Sequence, residues 1–199
     1  MTLFTLLMFI PVLYRTVYRI VFEKVTRAKE SMRIMGMTDF PYWLSWWAYF
    51  SIVNTLVTTG GWACLMINVF SWGSSLTLWL IIWLFGESLF GILLIAQSIF
   101  QTPRAAAITT TVVYFGTTFI GSFVDGEDTP WFNKFMCCMF LPQVAMIQSM
   151  QVFIEYEMSG IPMNFDTWHL QKENYSVFQG IMQLIGSGAI MLMLGLYLE

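Results

Sequence analysis

The chain has 199 residues, of which 57% are hydrophobic, 18% aromatic and only 11% charged, and its mean hydropathy is +0.67. A soluble domain carries about 25% charged residues, so this composition excludes the ordinary soluble classes and predicts an integral membrane protein. The formal net charge of −3 matters less than the placement of the positive charges. Six of the nine basic residues lie in one segment between apolar stretches: Arg15, Arg19, Lys24, Arg27, Lys29 and Arg33. Basic residues clustered between membrane spans mark the cytoplasmic side, and such a cluster does not suit a nucleic-acid-binding face.

The first 37 residues are predicted to form a partial span followed by a cytoplasmic helix. Residues 1–14 are apolar but too short to cross a bilayer alone, and we expect the chain to be truncated at both ends. In residues 15–37 the apolar side chains step by three or four positions, and charged side chains occupy another face, which predicts an amphipathic helix. Glu23 and Arg27 have the spacing of an i,i+4 ion pair. Gly36 is predicted to end this helix.

Four full spans are predicted from long, nearly uncharged stretches: residues 43–70, 76–100, 105–124 and 177–198. Thr38 or Asp39, followed by Pro41, is expected to begin the first of these helices. Arg104 lies in the short turn between the second and third spans and agrees with a cytoplasmic position for that turn. The acidic residues within 125–128 are therefore predicted to lie on the opposite side of the membrane.

Residues 129–160 are predicted to form a re-entrant helical hairpin that enters the membrane from outside and returns. Pro142 disfavours helical angles at Leu141, which leaves two helices of roughly 11 and 16 residues. Each is too short to cross a hydrocarbon core of about 30 Å. Five polar side chains would also be costly if they faced lipid: Gln143, Gln148, Gln151, Glu155 and Glu157. The predicted fold is an all-α polytopic membrane helix bundle with an exterior re-entrant hairpin.

Glu87 is the only charged residue in the second predicted span, and it is a candidate intramembrane polar site for a proton, an ion or a lipid head group. The structural alternative is a protonated acid bonded to a neighbouring helix through Asn54, Thr109 or Gln183. Asn174 begins an Asn-Tyr-Ser sequon on the predicted outer side, so it is a candidate glycosylation site.

The sequence predicts no catalytic residue, metal site or cofactor site within this chain. His169 is the only histidine, and neither a phosphate-binding loop motif nor a dinucleotide-binding glycine motif is present. The cysteines Cys64, Cys137 and Cys138 have no spacing that suits zinc, and we interpret them as small apolar packing residues.

The stretch from Glu23 to Met37 carries a resemblance to a known family. It reads Glu-Lys-Val-Thr-Arg-Ala-Lys-Glu-Ser-Met-Arg-Ile-Met-Gly-Met. This resembles the segment Glu-Lys-Glu-x-Arg-x-Lys-Glu-x-Met-Arg-x-Met-Gly-Leu of the A subfamily of ABC transporters, from which Val25 and Met37 depart. The order of spans, the turn at residues 101–107 and the Pro-broken hairpin are also similar to that family.

The resemblance implies the later spans of one membrane domain in an ATP-driven lipid exporter or flippase, a multi-pass protein of the plasma membrane or an internal membrane. A separate nucleotide-binding domain of the parent protein would bind ATP and Mg²⁺, and the parent would be an ATP-hydrolysing translocase. The expected partners are membrane lipids, that domain and a second membrane half. The helix of residues 15–37 would couple to the ATPase through six residues: Glu23, Arg27, Lys29, Glu30, Arg33 and Met35. The alternative is a polytopic channel or scaffold without an ATPase, in which Glu87 lines a pore and the basic helix binds lipid.

Overall fold

The computed structural model describes residues 2–68, 75–124, 131–160, 167–169, 171–172 and 175–198. Within these residues the elements are, in chain order, α1 (Thr2–Leu7), α2 (Ile10–Val25), α3 (Ala28–Ile34), α4 (Asp39–Asn68), α5 (Ser75–Ile99), α6 (Pro103–Val124), α7 (Trp131–Phe140), α8 (Pro142–Met158), β1 (Gln171–Lys172), β2 (Tyr175–Ser176) and α9 (Val177–Leu198). The two short strands pair antiparallel, with Gln171 opposite Ser176. The predicted all-α membrane bundle is confirmed.

Helix α5 forms the centre of the bundle and packs against α4, α8, α9 and α2, while α2 also packs along α6. The side chains of Ile81, Phe85 and Leu89 on α5 are fully buried. Glycine allows α5 and α9 to approach closely, because a Cβ atom on Gly91 would meet the side chain of Met191. Small residues at such contacts let helix backbones approach each other, and this packing contributes much of the association of helices in lipid.

Three helical stretches among the described residues are long and apolar enough to cross a membrane: Thr2–Val25, Ser75–Ile99 and Val177–Leu198. The number becomes four if the bent pair α7 and α8 is one span. Helices α4 and α6, which contain most of the predicted spans 43–70 and 105–124, have 30 and 22 residues and are not among these three. Their crossing of the membrane stays a prediction.

The predicted division into a partial span at residues 1–14 and one continuous amphipathic helix at residues 15–37 is wrong. Helix α2 continues through Arg15 and Arg19 to Val25, and together with α1 it forms an apolar stretch of 24 residues. Arg27 then has a left-handed conformation, with φ of 54° and ψ of 27°, which interrupts the helix. Residues 15–37 therefore divide into the end of a candidate span and the separate short helix α3.

The predicted stop at Gly36 is confirmed. Gly36 has φ of 95°, which glycine adopts without strain, and its N–H donates to the carbonyl of Arg33 at 3.0 Å. The N–H of Met37 donates to the carbonyl of Met32 at 3.1 Å. This pair of bonds is the Schellman arrangement that ends many helices. Helix α4 then begins at Asp39, with Pro41 in its first turn, where its missing N–H costs least.

Helices α7 and α8 have 10 and 17 residues and are bent by 119° at Leu141, immediately before Pro142. The first half of α8 is buried on all sides, and the polar side chains of Gln143 and Gln148 are among the buried ones. The division into two helices is as expected from Pro142. Re-entry from the outer side stays a prediction, because a bend of this size fits either a broken span or a re-entrant loop.

Candidate coupling helix and intramembrane carboxylate

Helix α3 lies outside the packed bundle and connects two long helices. All seven of its residues are described, and none of them is buried. Only Thr26 and Arg27 separate it from α2, and four residues separate it from α4. The hydroxyl of Thr26 donates to the carbonyl of Phe22 at 3.0 Å and helps to end α2. A short, exposed helix between two helix ends is accessible for binding by another protein.

Four of the six predicted coupling residues are exposed on this segment. The side chains of Arg27 and Glu30 are 79% and 69% exposed and form a loose ion pair at 3.9 Å. The side chain of Arg33 is 71% exposed, and Met35 is 78% exposed. The structure therefore presents two cations, one carboxylate and one apolar side chain to the surroundings.

Lys29 and Asp39 hold α3 against the start of α4. The ammonium of Lys29 lies 3.5 Å from Asp39 Oδ1, and Arg33 approaches the other oxygen of Asp39 at 3.7 Å. The same ammonium lies 5.4 Å and 5.1 Å from the ring centroids of Tyr42 and Trp43. Cations within about 6 Å of an aromatic face are attracted to it. Lys29 is thus an anchor for α3 rather than part of its exposed face.

Glu23 is also an anchor, and its predicted pairing with Arg27 is wrong. Glu23 Oε2 accepts hydrogen bonds from Tyr42 Oη at 3.1 Å and from Trp46 Nε1 at 3.2 Å. An i,i+4 pair needs a continuous helix, and the left-handed conformation of Arg27 breaks that helix. Glu23 consequently fastens the end of α2 to the first turns of α4.

Sequence reasoning missed the role of Lys24. Its ammonium donates to the carbonyl of Gln97 at 2.7 Å and approaches the carbonyl of Ser98 at 3.4 Å. These are carbonyls at the C-terminal end of α5, where the helix dipole and unpaired oxygens favour a cation. A basic residue near a span was visible in the sequence, but its partner lies 73 residues away along the chain.

Glu87 forms a polar cluster with α4. Its Oε1 accepts from Ser51 Oγ at 2.8 Å and from Asn54 Nδ2 at 2.9 Å. Asn54 also donates to the carbonyl of Trp83 at 3.1 Å. Among the described residues, the buried Oε2 of Glu87 has no hydrogen-bond partner. Of the three expected partners, Asn54 is confirmed, whereas Gln183 instead accepts from Tyr175 Oη at 2.7 Å.

The cluster around Glu87 extends into a series of polar contacts along α4 and α5. Trp83 Nε1 donates to Thr55 Oγ1 at 3.1 Å, and Trp79 Nε1 reaches Thr59 Oγ1 at 3.4 Å. Gly86 makes room for this series, because a Cβ atom there would collide with the amide of Asn54. Hydrogen bonds between helices in a membrane contribute about 0.6–2 kcal/mol each. The arrangement joins α4 firmly to α5.

Three further sequence predictions concern a glycosylation site, an acidic turn and the cysteines. Asn174, the candidate glycosylation site, and the acidic turn at 125–128 lie outside the described residues. None of Cys64, Cys137 and Cys138 is in a disulfide, and Cys138 is buried, as an apolar packing residue would be.

Comparison with known proteins identifies the family. Residues 1–197 match the family described as ABC-2 family transporter protein. Among the curated relatives are proteins named cholesterol transporter ABCA5 from Rattus norvegicus and Homo sapiens, each 26% identical to this chain over 160 and 163 residues respectively. Each alignment covers 77% of this chain and 10% of the relative, so the chain spans about a tenth of those relatives' length. The resemblance to the A subfamily is confirmed, and this chain belongs to the ABC-2 family of transporter proteins as an integral, multi-pass membrane domain.

Proposed function

We propose that this membrane domain belongs to an ATP-driven transporter that moves lipids or other amphipathic molecules across or out of a membrane. Family membership supports the role in transport, and the names of the relatives support a lipid or sterol as cargo. The structural observation that carries the proposal is α3, an exposed helix joined by short connections to α2 and α4.

The short connections make α3 suitable as a lever. A force applied to α3 reaches α2 through two residues and α4 through four residues, so little of the displacement is lost. Glu23 and Lys29 strengthen both joints through their contacts with Tyr42, Trp46 and Asp39. Movement of α3 would then shift the cytoplasmic ends of both long helices together.

The exposed side of α3 has the composition of a docking surface. Arg27, Glu30 and Arg33 provide charges of both signs, while Ile34 and Met35 are 87% and 78% exposed. Arginine and methionine are enriched at protein interfaces, and large exposed apolar side chains commonly mark them. The proposed partner on this side is a nucleotide-binding domain, which binds ATP and Mg²⁺. A second membrane half completes the transporter.

The geometry at Glu87 argues against the alternative in which this residue lines a channel pore. A pore-lining carboxylate needs to face a water path, whereas Oε1 of Glu87 bonds to Ser51 and Asn54 between two packed helices. Such a cluster supports a clamp that keeps α4 and α5 together. We propose that α4 moves with α5 when α3 is displaced.

Charge reversal on α3 tests the coupling. In the full-length protein reconstituted in vesicles, Arg27→Glu combined with Arg33→Glu should leave membrane insertion intact and disconnect ATP hydrolysis from lipid transfer. Loss of a charge partner at an interface costs a few kcal/mol when the other partner stays buried. Both rates are measured on the same vesicles. The matched control is Arg104→Glu, an exposed basic residue of α6 away from α3.

Normal coupling of ATP hydrolysis to lipid transfer in the double variant would reject the lever. Absence of both ATP hydrolysis and lipid transfer in the unmodified full-length protein would reject the proposed function itself. A purified protein that conducts ions without ATP would support the channel alternative.

A further inference from the structure

Two cavities of opposite chemistry lie beside each other near α3. The first, here called the basic pocket, has a volume of about 260 Å³ and is lined by Lys24, Arg27, Lys29, Glu30 and Arg33 together with the end of α5. The second, here called the apolar groove, has a volume of about 420 Å³. Its lining includes aromatic and leucine side chains of α4, α5 and α9, namely Trp43, Trp47, Phe90, Leu94, Leu192 and Leu196.

The two cavities share a wall. Lys29 lines the basic pocket, and its ammonium lies 5.1 Å from the ring centroid of Trp43, which lines the apolar groove. Asp39, 3.5 Å from the same ammonium, also borders the groove. The pocket and the groove thus lie close enough for one amphipathic molecule to reach both.

The charges in the pocket favour an anion. Four cations and one carboxylate line it, and three ion pairs that these cations form with Glu30 and Asp39 are long, at 3.5 to 3.9 Å. Arg27 and Arg33 are mostly exposed, and ion pairs between exposed side chains contribute little to stability. Both arginines can therefore leave their present carboxylate partners for an anion that binds more strongly. A phosphate offers arginine two parallel, charge-assisted hydrogen bonds.

We propose that an anionic phospholipid occupies both cavities, with its phosphate and headgroup in the basic pocket and one acyl chain in the apolar groove. A zwitterionic headgroup has no net charge to offset the four cations, whereas an anionic headgroup carries a net negative charge, so the pocket favours the anionic lipid. The bound phosphate bridges α2 and α3, because Lys24 of α2 and Arg33 of α3 both border the pocket. The lipid thus fastens α3 in position. This inference goes beyond the proposed function, because the binding needs neither ATP nor a nucleotide-binding domain.

Fluorescence quenching by brominated lipid tests the site in the full-length protein. Nanodiscs of phosphatidylcholine receive increasing fractions of phosphatidylserine with brominated acyl chains, and a parallel series receives brominated phosphatidylcholine. Trp43 lines the groove, and its contribution is obtained by subtracting the fluorescence of a Trp43→Phe variant from that of the unmodified protein. We expect saturable quenching at a much lower fraction of phosphatidylserine than of phosphatidylcholine.

Two variants test the contribution of the headgroup to binding separately from that of the acyl chain. Replacing Arg27 and Arg33 together by glutamine should raise the phosphatidylserine fraction at half-quenching roughly 30-fold, since each basic residue near a lipid surface contributes about fivefold. Arg104→Gln is the matched control and should change nothing. Leu196→Phe should narrow the groove and reduce quenching of Trp43 without adding a tryptophan or changing the charge. Circular dichroism verifies that the helical content of each variant is unchanged.

Three results would overturn the inference. Equal quenching by the two brominated lipids would reject an anionic headgroup. An unchanged half-quenching fraction in the double arginine variant would reject the basic pocket. If soluble glycerol phosphate bound to the pocket while brominated phosphatidylserine failed to quench Trp43, the site would be one for a free phosphate and no lipid chain would enter the groove.

Discussion

The two candidate sites, α3 and the α4–α5 interface around Glu87, are held together by different kinds of contact. Helix α3 buries none of its residues and is held by ion pairs of 3.5 and 3.7 Å and by cation–ring contacts. The α4–α5 interface around Glu87 has hydrogen bonds of 2.8 and 2.9 Å between partly or fully buried side chains. Contacts near water are screened and weak, whereas those in the bundle are shielded from competing water. The same long helix α4 thus has a loosely held element at one end and a clamp further along it.

This difference suggests that the two regions have different mechanical roles. A lever should be able to change its contacts at small energetic cost, and α3 satisfies that requirement because its ion pairs lie near the surface. The helices that it moves should respond as a unit, and the polar series from Ser51 to Thr59 joins α4 to α5. Substitutions in either region test this difference, and their expected effects differ in size and in kind.

The largest expected effect on stability is at the clamp. Gly86→Ala would place a Cβ atom against the amide of Asn54, displacing it from Glu87 and Trp83. We expect the free energy of unfolding to fall by about 2–4 kcal/mol, from overpacking and from lost hydrogen bonds. Unfolding in mixed micelles, followed by circular dichroism, measures this. Gly116→Ala is the matched control, since a Cβ atom there meets nothing within 4 Å. A loss as small as in the control would mean that Asn54 can move without losing its bonds.

Two substitutions at Glu87 should separate the contribution of its hydrogen bonds to stability from that of its charge. Both should change the free energy of unfolding less than Gly86→Ala does. Glu87→Leu removes the acceptor for Ser51 and Asn54 and should lower the free energy of unfolding by about 1–2 kcal/mol. Glu87→Gln keeps a carbonyl oxygen for both donors and should change it by less than about 0.5 kcal/mol. The same unfolding assay applies. If glutamine is as destabilising as leucine, the charge itself is required, and a role in ion or proton binding gains support.

The sequence predicted those features that depend on local chemistry. Gly36 ends α3 and Pro142 separates α7 from α8 because the conformational limits of glycine and proline act within a few residues. Asn54 was among the expected partners of Glu87, because a carboxylate within a span needs a donor from a neighbouring helix.

The remaining features depend on contacts that residue spacing does not reveal. The left-handed conformation of Arg27 splits the predicted amphipathic helix, and arginine has no intrinsic preference for that conformation. The bond from Lys24 to the carbonyl of Gln97 and those from Tyr42 and Trp46 to Glu23 arise only when distant elements pack together. Sequence periodicity therefore identified the charged segment but not which of its side chains are anchors.

A small effect on overall stability is expected at Asp39, where the consequence should be confined to α3. Asp39→Asn removes the negative charge that holds Lys29 and Arg33, and exposed pairs contribute about 0–1 kcal/mol each. The free energy of unfolding should change by less than about 1 kcal/mol. Amide hydrogen exchange across residues 28–34 should become up to about fivefold faster, because local opening no longer breaks these pairs.

Glu30→Gln is the matched control for Asp39→Asn, since Glu30 pairs with Arg27 across one end of α3 and does not reach α4. Its effect on exchange should be smaller. High salt should speed exchange in the unmodified protein and have little further effect in Asp39→Asn, because salt screens the same exposed charges. If Asp39→Asn leaves exchange unchanged, the contacts of Lys29 with Tyr42 and Trp43 are sufficient to hold α3. The lever would then be fastened by aromatic rings rather than by ion pairs, and its position would be insensitive to salt.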